Sequence, residues 1–371
     1  MLTRIHIENY RCFRDFELEP GPFTVILGPN GAGKSSLFDV LHCVYRLQSG
    51  WSGVEELFPA WSRYRGDPER PQRVTVEATL RETKFHYELV VDHDRRGRAR
   101  IASERVQGGE ELLYEFDGKQ VRLHAMAAGD SEAGFPFKGT TSPLALMEIE
   151  PTSPLFHFLE WMRRVWVIRP VPQTMRALAS GEASWLSPDL SNFATWFQDI
   201  IQESPRMNTR ITRSLKPVLP GFQEFTLARE SERTRTLRFL FRTSKRQGGG
   251  PAGFALDELS DGQRMLVALY ALLHVVVETG CTLCIDEPDN YVALPEIQPW
   301  LDEVRDLVAA KGGQVLLISH HPRVINLLAA RYGYWLDRKG AGPVEARRIA
   351  IEEAERGVPI AELIARGWIH E

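Results

Sequence analysis

The chain opens on two short stretches in which apolar and polar positions alternate, Leu2-Thr-Arg-Ile-His-Ile-Glu and Asp15-Phe-Glu-Leu-Glu. A period of two puts every second side chain on one face, so each stretch predicts a strand with one buried side. Pro20-Gly-Pro turns the chain, and Phe23-Thr-Val-Ile-Leu comes next as an unbroken apolar run, suited to a strand buried on both faces. A glycine-rich loop succeeds it, and then a helix beginning Ser36-Leu-Phe-Asp-Val-Leu-His-Cys-Val-Tyr.

Strand-like runs return between positions 50 and 140, among them Arg73-Val-Thr-Val-Glu-Ala-Thr-Leu and Phe85-His-Tyr-Glu-Leu-Val-Val. Charged turns separate them, which predicts a β-meander inserted after the first helix. Residues 141–215 read as mostly helical around the apolar strand Val165-Trp-Val-Ile, and residues 222–246 as strands again. Gln247-Gly-Gly-Gly-Pro predicts a flexible break. The last third alternates: a helix over 263–278, a strand at Thr282-Leu-Cys-Ile, a helix over 300–310 and a strand at Val315-Leu-Leu-Ile-Ser. Strand–helix alternation implies parallel pairing. The boundaries expected from this pattern are an N-terminal lobe over 1–140, an insertion over 141–250 and a C-terminal lobe over 251–371.

Composition narrows the class. With 371 residues, 43% apolar and 25% charged, the chain can bury a sizeable core. A net charge of −4 gives no global pull toward nucleic acid, so any such contact must come from a local patch. No apolar run is long enough to span a membrane, and the N-terminus lacks a signal-peptide core, so a cytoplasmic setting without membrane contact is expected. Cys281 and Cys284 form a C-x-x-C inside an apolar run with no second pair at metal spacing, which reads as buried thiols in a strand.

Four motifs carry the chemistry. Gly28-Pro-Asn30-Gly31-Ala-Gly33-Lys34-Ser35 fits G-x-x-x-x-G-K-[ST] between an apolar strand and a helix, the setting that this motif requires. Glycines let backbone N–H groups wrap phosphate oxygens, and the helix N-terminus, with Ser36 in its first turn, adds positive potential. Lys34 would reach the β- and γ-phosphates, and the Ser35 hydroxyl would ligate Mg²⁺. Leu283-Cys-Ile-Asp286-Glu287-Pro ends an apolar strand in two acids: Asp286 to hold Mg²⁺, Glu287 to polarise the attacking water. Leu259-Ser260-Asp-Gly262-Gln263 opens a long helix 27 residues before Glu287. Ser260 reads as its N-cap and as a hydroxyl offered to phosphate. His320 comes directly after the strand at 315–319, at the carboxyl edge where ligands bind in such sheets.

In this order the four elements resemble the ABC ATPases, with Leu259 to Gln263 matching the signature motif and His320 the switch histidine. Ile5-His-Ile-Glu-Asn-Tyr-Arg-Cys-Phe resembles the opening of the RecF/SMC branch, and the shorter RecF-like and OLD-like AAA-family ATP-binding proteins are the most similar. The resemblance covers about 1–45 and 255–335. It implies an α/β fold: an ABC-type P-loop ATPase head with a mixed, mostly parallel core sheet, an antiparallel β subdomain and an inserted helical lobe. It further implies ATP and Mg²⁺ as cofactors, and an ATP-dependent homodimer in which Ser260 and Gly262 of one chain close over the glycine loop of another. Gln173 is the candidate for the glutamine that joins Ser35 and Asp286 at the metal. Arg11 either touches nucleotide, as similar arginines in the branch do, or serves on the surface. No aspartate stands where Ala293 aligns with the family's D-loop pattern.

Two outputs are open on this reading. Residues 206–246 hold eleven Lys/Arg against Glu224, Glu230 and Glu232, a net of +8 that could bind DNA phosphates or be the solvated face of strands. Alternatively the chain is a regulatory ATPase that controls a separate effector, a nuclease or toxin. With about 50 residues after His320, no room is expected for the nuclease domain of full OLD proteins. A transporter ATPase is disfavoured by the N-terminal pattern and by more than 220 residues between glycine loop and signature.

Overall fold

The structure, a computed structural model, describes residues 1–124, 133–242, 251–349 and 359–365. The chain forms two compact units: residues 1–166 with 326–371, and residues 167–325.

The first unit holds an eight-stranded sheet in which every neighbour is antiparallel. Leu2–Tyr10 lies between Phe13–Leu18 and Gln72–Leu80, with Ile5 opposite Leu18 and Val76, and Ile7 opposite Phe16 and Val74. Each of these six side chains is at most 2% exposed. The period-two pattern of the opening residues therefore becomes one apolar face across three strands. Thr83–His93, Ala99–Gly108, Glu111–Phe116, Gln120–Leu123 and Ala133–Pro136 continue the sheet, which is the expected β-meander.

One fully buried acid interrupts that apolar interior. Glu104 accepts hydrogen bonds from Tyr87, Tyr114, Ser142 and Gln48 at 2.6–3.0 Å. Burial pushes its pKa up, and the four donors oppose that shift. Gln48 is the last residue of the helix Lys34–Gln48, so this network fastens the far end of that helix to the meander.

Phe23–Leu27 is buried at every position, as a two-faced strand must be. It runs parallel to Gly333–Arg338, with Ile26 opposite Tyr334, and Val344–Arg348 extends that sheet antiparallel.

In the second unit Thr282–Asp286 and Gln314–Ile318 pair in parallel, with Asp286 opposite Ile318. The helix Leu294–Lys311 connects them, and Trp300 fixes it: the ring is fully buried and its Nε1–H donates to Leu269 O at 2.8 Å. Leu269 belongs to the helix Asp261–Leu272, which continues as a π-helical turn over Leu273–Val277. The helix expected over 263–278 is thus two segments of different winding. Between the unit's start and this helix lie the helices Phe193–Glu203 and Pro205–Val218 and a small antiparallel sheet around Thr234–Phe241. Much of the stretch expected to be helical is irregular, because prolines at 170, 172 and 188 interrupt it. The flexible break expected at 247–250 lies outside the described residues.

Cys281 and Cys284 are buried thiols, and burial raises the Cys284 pKa well above the usual range. Among the described residues no helix is long and apolar enough to cross a membrane.

Candidate functional site: a phosphate loop and an acidic strand end

In the first unit the strand Phe23–Leu27 runs into the glycine loop, and three glycines there take positive φ: Gly28 at 146°, Gly31 at 81° and Gly33 at 88°. Only glycine adopts such angles without strain. Two of the three are also required by space. A Cβ on Gly28 would stand 2.2 Å from the Leu336 carbonyl oxygen, and one on Gly33 would stand 2.7 Å from Cys12 Sγ. Gly33 caps the helix in the left-handed conformation, and Asn30, Gly31 and Ser35 are exposed around it. Ser36 is half-buried and hydrogen-bonds the Cys12 thiol, whose pKa burial raises.

Lys34 is 6% exposed, unusually little for a lysine. Its Nζ donates to the Gly28 and Pro29 carbonyls, both at 2.9 Å, so the ammonium is held beneath the loop. Arg11, itself at φ 49°, pairs with Asp39 on the second turn of the loop helix and lies 5.3 and 5.4 Å from the rings of Tyr10 and Trp61.

In the second unit the acids at the end of Thr282–Asp286 are gripped differently. Asp286 is 11% exposed, and its Oδ2 lies 3.5 Å from Arg169 Nε. Glu287 has φ 51°, a left-handed conformation that costs a non-glycine residue about 1–3 kcal/mol and needs surroundings to hold it. Those surroundings are specific. Its N–H donates to Ile318 O at 2.9 Å, Oε2 accepts from Asn290 Nδ2 at 2.5 Å, and Oε1 stands 3.3 Å from His320 Nε2. Glu287 and His320 are both more than a third exposed, so the pair faces solvent. Asp289 is 8% exposed and hydrogen-bonded to Ser319, with its pKa raised by burial.

The signature segment forms a capping box: Gln263 N–H donates to Ser260 Oγ at 3.3 Å, and Ser260 N–H to Gln263 Oε1 at 3.1 Å. A Cβ on Gly262 would approach Tyr291 O to 2.9 Å, so this glycine lets the Glu287–Tyr291 turn pack against the helix. Arg264 braces the segment, donating to the carbonyls of Leu259, Asp257 and Pro172. Gln173 donates to Asp261 Oδ2 at 2.6 Å. Arg169, four positions earlier, is set beside Asp286.

Two protein-family profiles match the chain over these same regions: an AAA domain at residues 4–46, and "AAA domain, putative AbiEii toxin, Type IV TA system" at residues 184–326. The first contains Arg11 and the whole glycine loop; the second contains Ser260, Asp286, Glu287 and His320. An OLD nuclease from Thermus scotoductus is 46% identical over 76 residues, 20% of this chain and 14% of that protein. The glycine loop and the acidic strand end thus both lie in stretches that match AAA-domain families. An SMC head domain from Thermotoga maritima aligns over 94% of this chain and 98% of its own length, at 14% identity and a TM-score of 0.46.

Motif reading missed Arg169, Asn290, Arg264 and Asp289. Arg169 and Gln173 lie outside both matched regions. Asn290 had a signal, since an amide three residues past a strand-end acid can turn back on it. Arg264 had little, because its hydrogen bonds go to backbone carbonyls and its side-chain partner is Asp261, three residues earlier, at 3.8 Å.

The basic stretch is described as far as Arg242; Lys245 and Arg246 lie outside the described residues. Arg210 pairs with Glu278. Arg229 stands directly across the strands from Arg235, while Arg238 falls between buried Leu237 and Phe239 and so faces the other side.

Proposed function

We propose that this chain binds ATP with Mg²⁺ through the glycine loop and the acidic strand end, hydrolyses it slowly, and uses it to join two copies of itself. The observation that carries the reading is Lys34, a nearly buried lysine held under a loop whose glycines are required both by φ and by close backbone approach. A loop of this shape aims N–H groups and one ammonium at an anion. Exchange of the Gly28 and Pro29 carbonyls for phosphoryl oxygens would cost Lys34 little, because the ammonium is already desolvated.

The donor set suits magnesium. Ser35 offers one exposed hydroxyl and Asp286 one carboxylate, and among the described residues no cluster of three or more His, Cys, Asp or Glu could hold a metal. Mg²⁺ commonly takes few protein ligands and completes its shell with water and phosphate. When bound, it would neutralise charge on the phosphate oxygens. Glu287 acts as the base that orients and deprotonates the attacking water; Asn290 and His320 hold its carboxylate in place. Arg11, fixed beside the loop helix, is positioned to support that helix and the nucleotide. Ser260, Gly262 and Gln263 serve a second copy's nucleotide: an exposed hydroxyl at a helix N-terminus is an added donor only when the γ-phosphate is present.

The output we propose is a conformational switch in DNA maintenance or anti-phage defence, with Arg233 and Arg235 among the candidate phosphate contacts. Control of a separate effector is the second reading, favoured by the toxin–antitoxin description of the profile that spans 184–326.

Glu287→Gln tests both chemistry and assembly. It is expected to retain ATP affinity, to lower phosphate release by roughly 10² or more, and to run as a dimer by light scattering when ATP is added. Normal turnover would move the base elsewhere, and a monomer with ATP bound would remove the shared site.

A further inference from the structure

The strand Val165–Ile168 hands the chain to Arg169, whose backbone N–H is tied to Pro188 O at 2.7 Å. Prolines at 170 and 172 stiffen the backbone immediately after it. The main chain is thus pinned on both sides of Arg169. In the structure its guanidinium lies 3.5 Å from Asp286, an acid that solvent scarcely reaches. A carboxylate so placed is costly unless a cation accompanies it. Arg169 is itself 35% exposed against 11% for Asp286, so it has the more open path to water. The nearby His320 is set against Glu287.

We propose that Arg169 is a cation latch: its guanidinium balances the Asp286 carboxylate until magnesium arrives with nucleotide, and it must give up that place for the metal to bind. This rests on the reading of Asp286 as the magnesium ligand. The consequence is a built-in competition. Magnesium affinity is lower than the bare carboxylate would give, and the acid is never left uncompensated.

The test uses Mn²⁺ as the probe, with free Mn²⁺ read by electron paramagnetic resonance on the full chain saturated with a non-hydrolysable ATP analogue. Arg169→Gln is expected to bind Mn²⁺ about three- to tenfold more tightly than wild type, the gain from removing one competing charge at a mostly buried acid. Arg169→Met, which keeps the aliphatic stem without the charge, should match it. Arg169→Lys should fall back toward the wild-type value. Equal or weaker Mn²⁺ binding by both neutral variants would overturn the latch, and weaker binding would make Arg169 a nucleotide ligand instead. Asp286→Asn separates the two claims. If it leaves Mn²⁺ binding unchanged, the magnesium reading itself fails, whatever Arg169 does.

Discussion

The glycine loop and the acidic strand end are built by opposite means. The loop is made of backbone: positive φ at Gly28, Gly31 and Gly33, a carbonyl from Leu336 packed where a side chain would be, and two loop carbonyls holding Lys34. The strand end is made of side-chain pairs, Asp286 with Arg169 and Glu287 with Asn290 and His320. Backbone construction tolerates almost no substitution at its tight points. Side-chain construction lets residues from distant positions share the work, and each pair can be broken without breaking the fold.

That contrast can be attacked first at Gly28. Gly28→Ala places a methyl 2.2 Å from a carbonyl oxygen at φ 146°, where a flexible neighbour cannot yield. The expected loss is about 3 kcal/mol or more in urea unfolding, by the combined cost of strain and overpacking. A loss under about 1 kcal/mol would mean that the loop is not rigidly backed. Gly33→Ala should cost less, since its nearest neighbour is the end of the Cys12 side chain.

The smallest effect is expected at the signature N-cap. Ser260→Ala removes one half of the capping box and should lower stability by about 1 kcal/mol. On the proposed reading it should also weaken ATP-driven pairing of Glu287→Gln, beyond what the lost stability explains. An unchanged dimer would confine Ser260 to its local role.

The same contrast decides which parts of the molecule are legible in its residues alone. The glycine loop is legible because its requirements are local: a strand buried on both faces, glycines at fixed spacing, then a helix. The alternating opening and the meander are legible for the same reason, since Ile5 and Ile7 must face the partners that bury them. The acids at 286 and 287 are legible by position alone. Their partners are not. Arg169 precedes Asp286 by more than a hundred residues, and no periodicity connects them. Gln173, the metal ligand expected in that stretch, donates to Asp261, a pairing that no local pattern announces. Glu104 is equally hidden, because an acid amid alternating strand residues reads as solvent-facing until Tyr87, Tyr114, Ser142 and Gln48 converge on it. The π-helical turn at Leu273–Val277 leaves no mark either, as its residues are as apolar as the helix that leads into it.

Calorimetric titration of ATP with Mg²⁺ into the wild type and into Lys34→Ala bears most directly on whether this loop holds a nucleotide. Saturable one-to-one binding by the wild type, lost in a variant that keeps its fold, is the predicted result. A Lys34→Ala protein that binds ATP as the wild type does would place the nucleotide elsewhere and contradict the account.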